Sequence, residues 1–253
     1  MRAAQIAHWT RSRLATALGA TYDPTRRRDF DPDFLRLLAD VTPFTMTSPE
    51  RLYGLREAVT YVVREDIPGD LVECGVWRGG SSMLIAMMLQ TLSDESRRLW
   101  MYDTYEGMSE PTVDDGPDVI ERFSVADRRE LFMAYASLND VRTNLGRTGL
   151  PDSRVEYVVG RVEDTIPGRA PTQIALLRLD TDWYQSTAHE LTHLYSRLSP
   201  GGVLIIDDYG HWEGARKAVD EFFDACESRP LFARMDYTGR LIVKSGTPAV
   251  KPT

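Results

Sequence analysis

Two apolar runs that each end in carboxylates constrain this chain most. Ile174 to Leu179 leads into Asp180-Thr181-Asp182, and Val203 to Ile206 leads into Asp207-Asp208. Runs of this kind read as strands covered on both faces, the pattern of a parallel sheet. In an open α/β sheet, ligands gather at the carboxyl ends of the strands. The two clusters would then share one sheet edge. Four carboxylates crowded there repel unless some take up protons or share a cation. A hard divalent cation with oxygen ligands resolves the crowding, and Mg²⁺ fits. The bland alternative is that each Asp caps the helix that follows it.

The rest of the chain supports such a sheet. Strands are expected at Leu71–Cys74, Leu99–Tyr102, Val155–Val159, Ile174–Leu179 and Val203–Ile206, with two more near Phe232–Met235 and Leu241–Lys244. Helical spacing fills the gaps. Ser48-Pro49 opens a helix with Leu52, Leu55, Val59, Val62 and Val63 on one face. A second, over Gly214–Glu227, places Ala215, Ala218, Val219, Phe222 and Phe223 together. Strand and helix in alternation imply a doubly wound, mostly parallel sheet. Thr238-Gly239 separates the last two strands, so they form an antiparallel hairpin. Residues 1–45 read as a helical arm, with one helix carrying Ile6, Trp9, Leu14 and Leu18 and a second carrying Phe34, Leu35, Leu37 and Leu38. Residues 46–253 form the main domain. Ser109–Ser124 is rich in Pro, Asp and Gly and reads as a long connector, a lid or a disordered loop.

Composition narrows the partners. The 253 residues carry a net charge of −8, which disfavours nucleic acid. Arg26-Arg27-Arg28 is the one basic cluster and reads as a solvated stretch. Cys74 and Cys226 make no disulfide framework, so a reducing cytoplasm is expected. No apolar stretch approaches a membrane span, and the start lacks a signal-peptide block.

Three further motifs bear on chemistry. Glu73-Cys74-Gly75-Val76-Trp77-Arg78-Gly79-Gly80-Ser81-Ser82 follows a strand and opens a helix. Its glycines admit close backbone approach, and the helix start offers free N–H groups to a nucleotide or carboxylate. It lacks the dinucleotide G-x-G-x-x-G spacing and the phosphate-loop lysine. A tight turn with no ligand is the alternative. Asp103 ends the next strand, where an acidic residue can accept ribose hydroxyls or cap a loop. Together these suggest an adenosine-type ligand. His189-Glu190-Leu191-Thr192-His193 matches the zinc-peptidase signature H-E-x-x-H, but no third ligand follows at a suitable spacing. An ordinary helix surface is the better account.

Four motifs in order then carry a resemblance: Leu71 to Gly80, Asp103-Thr104-Tyr105-Glu106-Gly107, Leu177 to Tyr184, and Leu198-Ser199-Pro200-Gly201-Gly202 running to Ile206-Asp207-Asp208-Tyr209. Over about residues 42–245 the chain resembles the macrocin O-methyltransferases, while residues 1–40 contribute nothing to the likeness. The resemblance implies a Rossmann-like class I methyltransferase sheet. It also implies S-adenosylmethionine as methyl donor, Mg²⁺, and a sugar hydroxyl of a bacterial natural product as acceptor. By the same likeness, Asp180, Asp207 and Asp208 ligate the metal and Asp182 is the general base. Thr45, Met46, Glu73, Gly75, Ser81, Asp103 and Gly160 bind the cofactor. Arg161 and Val162 stand where the resemblance calls for an aromatic pair near the adenine. A homo-oligomer, dimer or larger, is the expected assembly. The rival readings are a metal-dependent methyltransferase of catechol-like phenols, a zinc peptidase, and a non-catalytic nucleotide-binding module.

Overall fold

A computed structural model describes residues 29–125 and 134–246. The expected helix around Ile6 to Leu18 and the triple arginine lie outside them. The chain divides into two compact units, Met1–Leu35 and Arg36–Thr253. The second helix expected near the start is present as α1 (Pro32–Val41).

The sheet has seven strands: β1 (Asp70–Cys74), β2 (Leu99–Asp103), β3 (Val155–Val159), β4 (Ile174–Leu179), β5 (Leu198–Ile206), β6 (Ala233–Arg234) and β7 (Arg240–Val243). Their order is β3-β2-β1-β4-β5-β7-β6. The first five pair in parallel, and β7 pairs antiparallel with both β5 and β6. The expected mostly parallel sheet with a closing hairpin is thus what forms. The main helices are α2 (Pro49–Arg64), α3 (Gly80–Thr91), α4 (Pro117–Val125), α5 (Leu138–Leu145), α6 (Val162–Thr165), α7 (Tyr184–Leu194) and α8 (Glu213–Asp224). Ser48 caps α2 as its sequence suggests, accepting the Arg51 N–H at 3.2 Å. Val72, Cys74, Leu177, Leu179, Leu204 and Ile206 pack with Leu191 and Leu194 of α7 and Val219 and Phe223 of α8. No helix among the described residues is long and apolar enough to cross a membrane.

Some boundaries differ from the sequence reading. β5 begins at Leu198, five residues early, because Gly201 and Gly202 exchange backbone hydrogen bonds with Lys244 at 2.8 Å. β6 shrinks to two residues, and α8 stops at Asp224. The connector Ser109–Ser124 is largely folded. It contains a 3₁₀ turn, Val113–Asp115, and then α4. Its anchor is Asp115, only 2% exposed, which accepts the Tyr184 N–H at 2.6 Å and also holds the Thr112 N–H at 2.7 Å.

Candidate active site

The parallel ladder continues past the strands. Gly75 N donates to Tyr102 O, Asp180 N to Cys74 O and Asp207 N to Leu179 O, each at 2.9 Å. These bonds set the ends of β2, β1, β4 and β5 side by side. Gly75 makes the closest approach possible: it has φ +83°, and a Cβ there would lie 1.9 Å from Asp180 O. Gly80 likewise lets the segment before α2 approach, since a Cβ would lie 2.6 Å from Thr45 Cβ. The result is a cleft of about 500 Å³ across the carboxyl edge. It is lined by all eleven residues singled out from the sequence: Thr45, Met46, Glu73, Gly75, Ser81, Asp103, Gly160, Asp180, Asp182, Asp207 and Asp208.

On the β1–β2 side, Asp103 is an organiser. Its Oδ2 accepts the Val76 and Trp77 N–H groups at 2.7 and 3.0 Å, and its Oδ1 accepts the Tyr105 N–H at 2.7 Å. A carboxylate offers about four lone-pair sites, so these three bonds leave room for a further donor such as a ligand hydroxyl. Glu73 is buried, hydrogen-bonded by Ser82 and paired with Arg178. Burial lifts its pKa to about 6, against the pull of Arg178. Where an aromatic pair was expected, Arg161 sits at the rim beside Glu163, 3.4 Å away, and Val162 joins the core.

On the β4–β5 side, Asp180, Asp207 and Asp208 offer ligand atoms all within 4.8 Å of one another. They are the one group of three potential metal ligands among the described residues. Arg178, 2% exposed, lies in register with Glu73 and reaches Asp180 Oδ2 and Asp207 Oδ1, both at 2.7 Å. Arg51 pairs with Asp207 and with Asp236, the latter at 3.0 Å. Four carboxyl groups, Glu73, Asp180, Asp207 and Asp236, therefore pair with two guanidinium groups. Burial and the charges of Asp182 and Asp180 push Asp208 well above the usual carboxylate range. Asp182 rises to about 7, chiefly through burial and then through Asp180. A hard divalent cation suits this all-oxygen, negatively charged donor set.

Asp182 leaves the sheet in a left-handed conformation, φ +67°. Its N–H donates to Asp208 Oδ2 at 3.1 Å, and its Oδ1 accepts the Trp212 indole N–H at 2.6 Å. A carboxylate set beside this acidic group, with its pKa raised to about 7, is suited to proton transfer. The sequence reading assigned no role to Arg51, Arg178 or Trp212. A lone charge inside Ile174–Leu179 was the available signal for Arg178.

The H-E-x-x-H match falls apart in three dimensions. His189 and His193 share one face of α7, with ring centroids 4.4 Å apart, and border a separate hollow with Glu163 and Tyr184. Glu190 turns the other way, fully buried against Thr181 Oγ1 at 3.1 Å. His189 Nε2 lies 2.9 Å from Ile166 O. Neither histidine joins a group of three ligands among the described residues. The two cysteines are free thiols.

Comparison with known proteins agrees with this geometry. The macrocin-O-methyltransferase (TylF) family model matches residues 2–242, so the likeness reaches into the first forty residues as well. The chain is 39% identical over 211 residues to 8-demethyl-8-(2,3-dimethoxy-alpha-L-rhamnosyl)-tetracenomycin-C 4'-O-methyltransferase of Streptomyces olivaceus, covering 83% of this chain and 79% of that protein. It is 38% identical over 180 residues to mycinamicin III 3''-O-methyltransferase of Micromonospora griseorubida, covering 71% and 70%. The solved structure of the O-methyltransferase NovP superposes with a TM-score of 0.74 at 32% identity, over 80% of this chain and 83% of that one. With its doubly wound sheet and the carboxylates gathered at its edge, this chain belongs to the macrocin-O-methyltransferase family of enzymes.

Proposed function

We propose that this protein transfers the methyl group of S-adenosylmethionine to a sugar hydroxyl of a glycosylated natural product, with Mg²⁺ held by Asp180, Asp207 and Asp208. The observation that carries this reading is the convergence of those three carboxylates within 4.8 Å, beside Asp182 and in one cleft with Gly75 and Asp103. The relatives named above act, by their names, on glycosylated antibiotics. Solved methyltransferases of this fold have been captured with S-adenosylhomocysteine or S-adenosylmethionine.

The residues divide the work. A sugar hydroxyl is a weak acid and a weak nucleophile near neutral pH. Asp182 takes its proton as the acceptor oxygen attacks the methyl carbon and the carbon–sulfur bond breaks toward sulfur. When bound, Mg²⁺ supplies charge stabilisation to the developing alkoxide. Glu73, Gly75 and Ser81 border the methionine end of the donor, Asp103 shapes the turn beside its ribose, and Thr45 and Met46 cover it. Gly160, which also lines the cleft, would hold the adenine end. Trp183 and Trp212 wall the acceptor side and limit water. Holding both substrates in line supplies much of the remaining rate. The enzyme works on a small-molecule acceptor, in the cytoplasm, as a homo-oligomer.

The test is a panel of glycosides incubated with S-adenosylmethionine, with and without EDTA, and read by mass spectrometry for products one methyl group heavier. Methylation of a sugar hydroxyl that EDTA abolishes and Mg²⁺ restores is the expected result. Full turnover by metal-free enzyme sinks the metal assignment. Methylation confined to phenols sinks the sugar assignment.

A further inference from the structure

We propose that Trp212 is a positioning residue that aims Asp182 at the acceptor hydroxyl. The inference rests on the reading of Asp182 as general base. Trp212 lies between β5 and α8, where its backbone N–H donates to Asp208 O at 3.0 Å. It is thereby tied to the strand end that also carries two of the proposed metal ligands. Its indole N–H meets Asp182 Oδ1 at 2.6 Å.

Asp182 needs such a partner. Its backbone is left-handed, a conformation that non-glycine residues keep only when surroundings hold them there. One restraint is its own N–H on Asp208 Oδ2. The second is Trp212, which fixes the carboxylate plane. An indole N–H donates and never accepts, so it holds Oδ1 without competing for the incoming proton.

The indole is itself braced. The Trp183 ring lies 5.3 Å away, and the His211 ring meets it edge-on at 4.5 Å. His211 Nδ1 in turn lies 3.2 Å from Tyr237 Oη. Tyr237 and His211 border the same cleft, so the chain Tyr237, His211, Trp212, Asp182 links its rim to the base.

The experiment is a double-mutant cycle of Trp212→Phe and Asp182→Asn. Phenylalanine keeps an aromatic ring against Trp183 and His211 and deletes the donor. Trp212 is only half-buried, so the variant retains the fold, which circular dichroism and the melting shift with S-adenosylhomocysteine verify. Hydrogen bonds to charged groups imply a fall in kcat of about 10- to 100-fold in the wild-type background, with KM nearly unchanged. In the Asp182→Asn background the same substitution should cost about twofold or less, because its effect runs through Asp182. Equal losses of kcat in both backgrounds would overturn the proposal, as would wild-type kcat in Trp212→Phe alone. If Asp182→Asn by itself keeps near-normal kcat, the assignment of the base fails instead.

Discussion

Replacing Glu190 with glutamine should stabilise the protein, by an amount that grows with pH. Glu190 is fully buried on α7, where Thr181 Oγ1 lies 3.1 and 3.2 Å from its two oxygens and the Cys74 thiol also hydrogen-bonds to it. Burial pushes its pKa well above the ordinary 4.5, and Glu163 and Asp180 push the same way. The folded state therefore keeps a proton that the unfolded chain releases once pH exceeds the unfolded value. The unfolded state then binds fewer protons, so stability falls as pH rises from about 4.5. The slope is about 1.4 kcal/mol per pH unit until the folded pKa is reached. Glutamine has nearly the same shape, offers Thr181 both a donor and an acceptor, and does not titrate. Urea unfolding of both proteins at half-unit steps from pH 5 to 8.5 isolates the difference. Glu73 and the aspartates at the sheet edge contribute to both curves and cancel. The variant should gain on the wild type with rising pH, at roughly 2–4 °C in Tm per kcal/mol for a chain of this size. Parallel curves across that range, or a variant less stable at pH 8, would refute the reasoning.

Asp182→Asn should lower single-turnover rate by about 10² to 10⁴ while Mg²⁺ affinity measured by calorimetry barely changes. Asp180→Asn should weaken Mg²⁺ binding directly, and equal loss of metal affinity in both variants would show the roles to be misassigned. His189→Ala with His193→Ala should leave methyl transfer within about twofold, since neither ring belongs to the acidic cleft; stoichiometric zinc lost on that change would revive a peptidase. Gly75→Ala should cost about 1–3 kcal/mol in urea melts and weaken S-adenosylhomocysteine binding, because its Cβ would overlap Asp180 O at 1.9 Å. A variant with unaltered melting and cofactor affinity would disprove that account.

The parts of the fold legible in the sequence were those fixed by local pattern. Ile174–Leu179 and Val203–Ile206 are unbroken enough to mark strands, and Ser48-Pro49 marks a helix start. The convergence of their acidic ends follows from parallel pairing alone. What escaped is set by distant partners. Pro200, Gly201 and Gly202 look like strand breakers, yet Lys244 gives the glycines a ladder to join. Ser109–Ser124 has a loop's composition, but Asp115 is captured by the start of α7, 69 residues away. Arg51 carries no local signal, because its partners Asp207 and Asp236 are distant in sequence. Arg178 stands just before Asp180, but neighbouring strands bring it Glu73 and Asp207. Repulsion among the carboxylates was expected to be relieved by a cation or by protons; two guanidinium groups share that task.

That sharing has a chemical consequence. Side chains two apart on a strand point to one face, so Arg178 meets Asp180 from within β4, and the β1 register delivers Glu73 to it as well. Asp207 joins from β5. Asp182 lies beyond the left-handed turn and receives a neutral indole, while Asp208 receives the Asp182 N–H. At this edge Asp180 and Asp207 are paired with fixed positive charge, while Asp182 and Asp208 gain affinity for a proton. Different surroundings for neighbouring carboxylates are how a site assigns one to hold charge and another to move protons. In this chain the difference comes from strand register and a single backbone turn. Asp180 and Asp182, two residues apart, are thereby suited to the different roles proposed for them, metal ligand and base, without differing in kind.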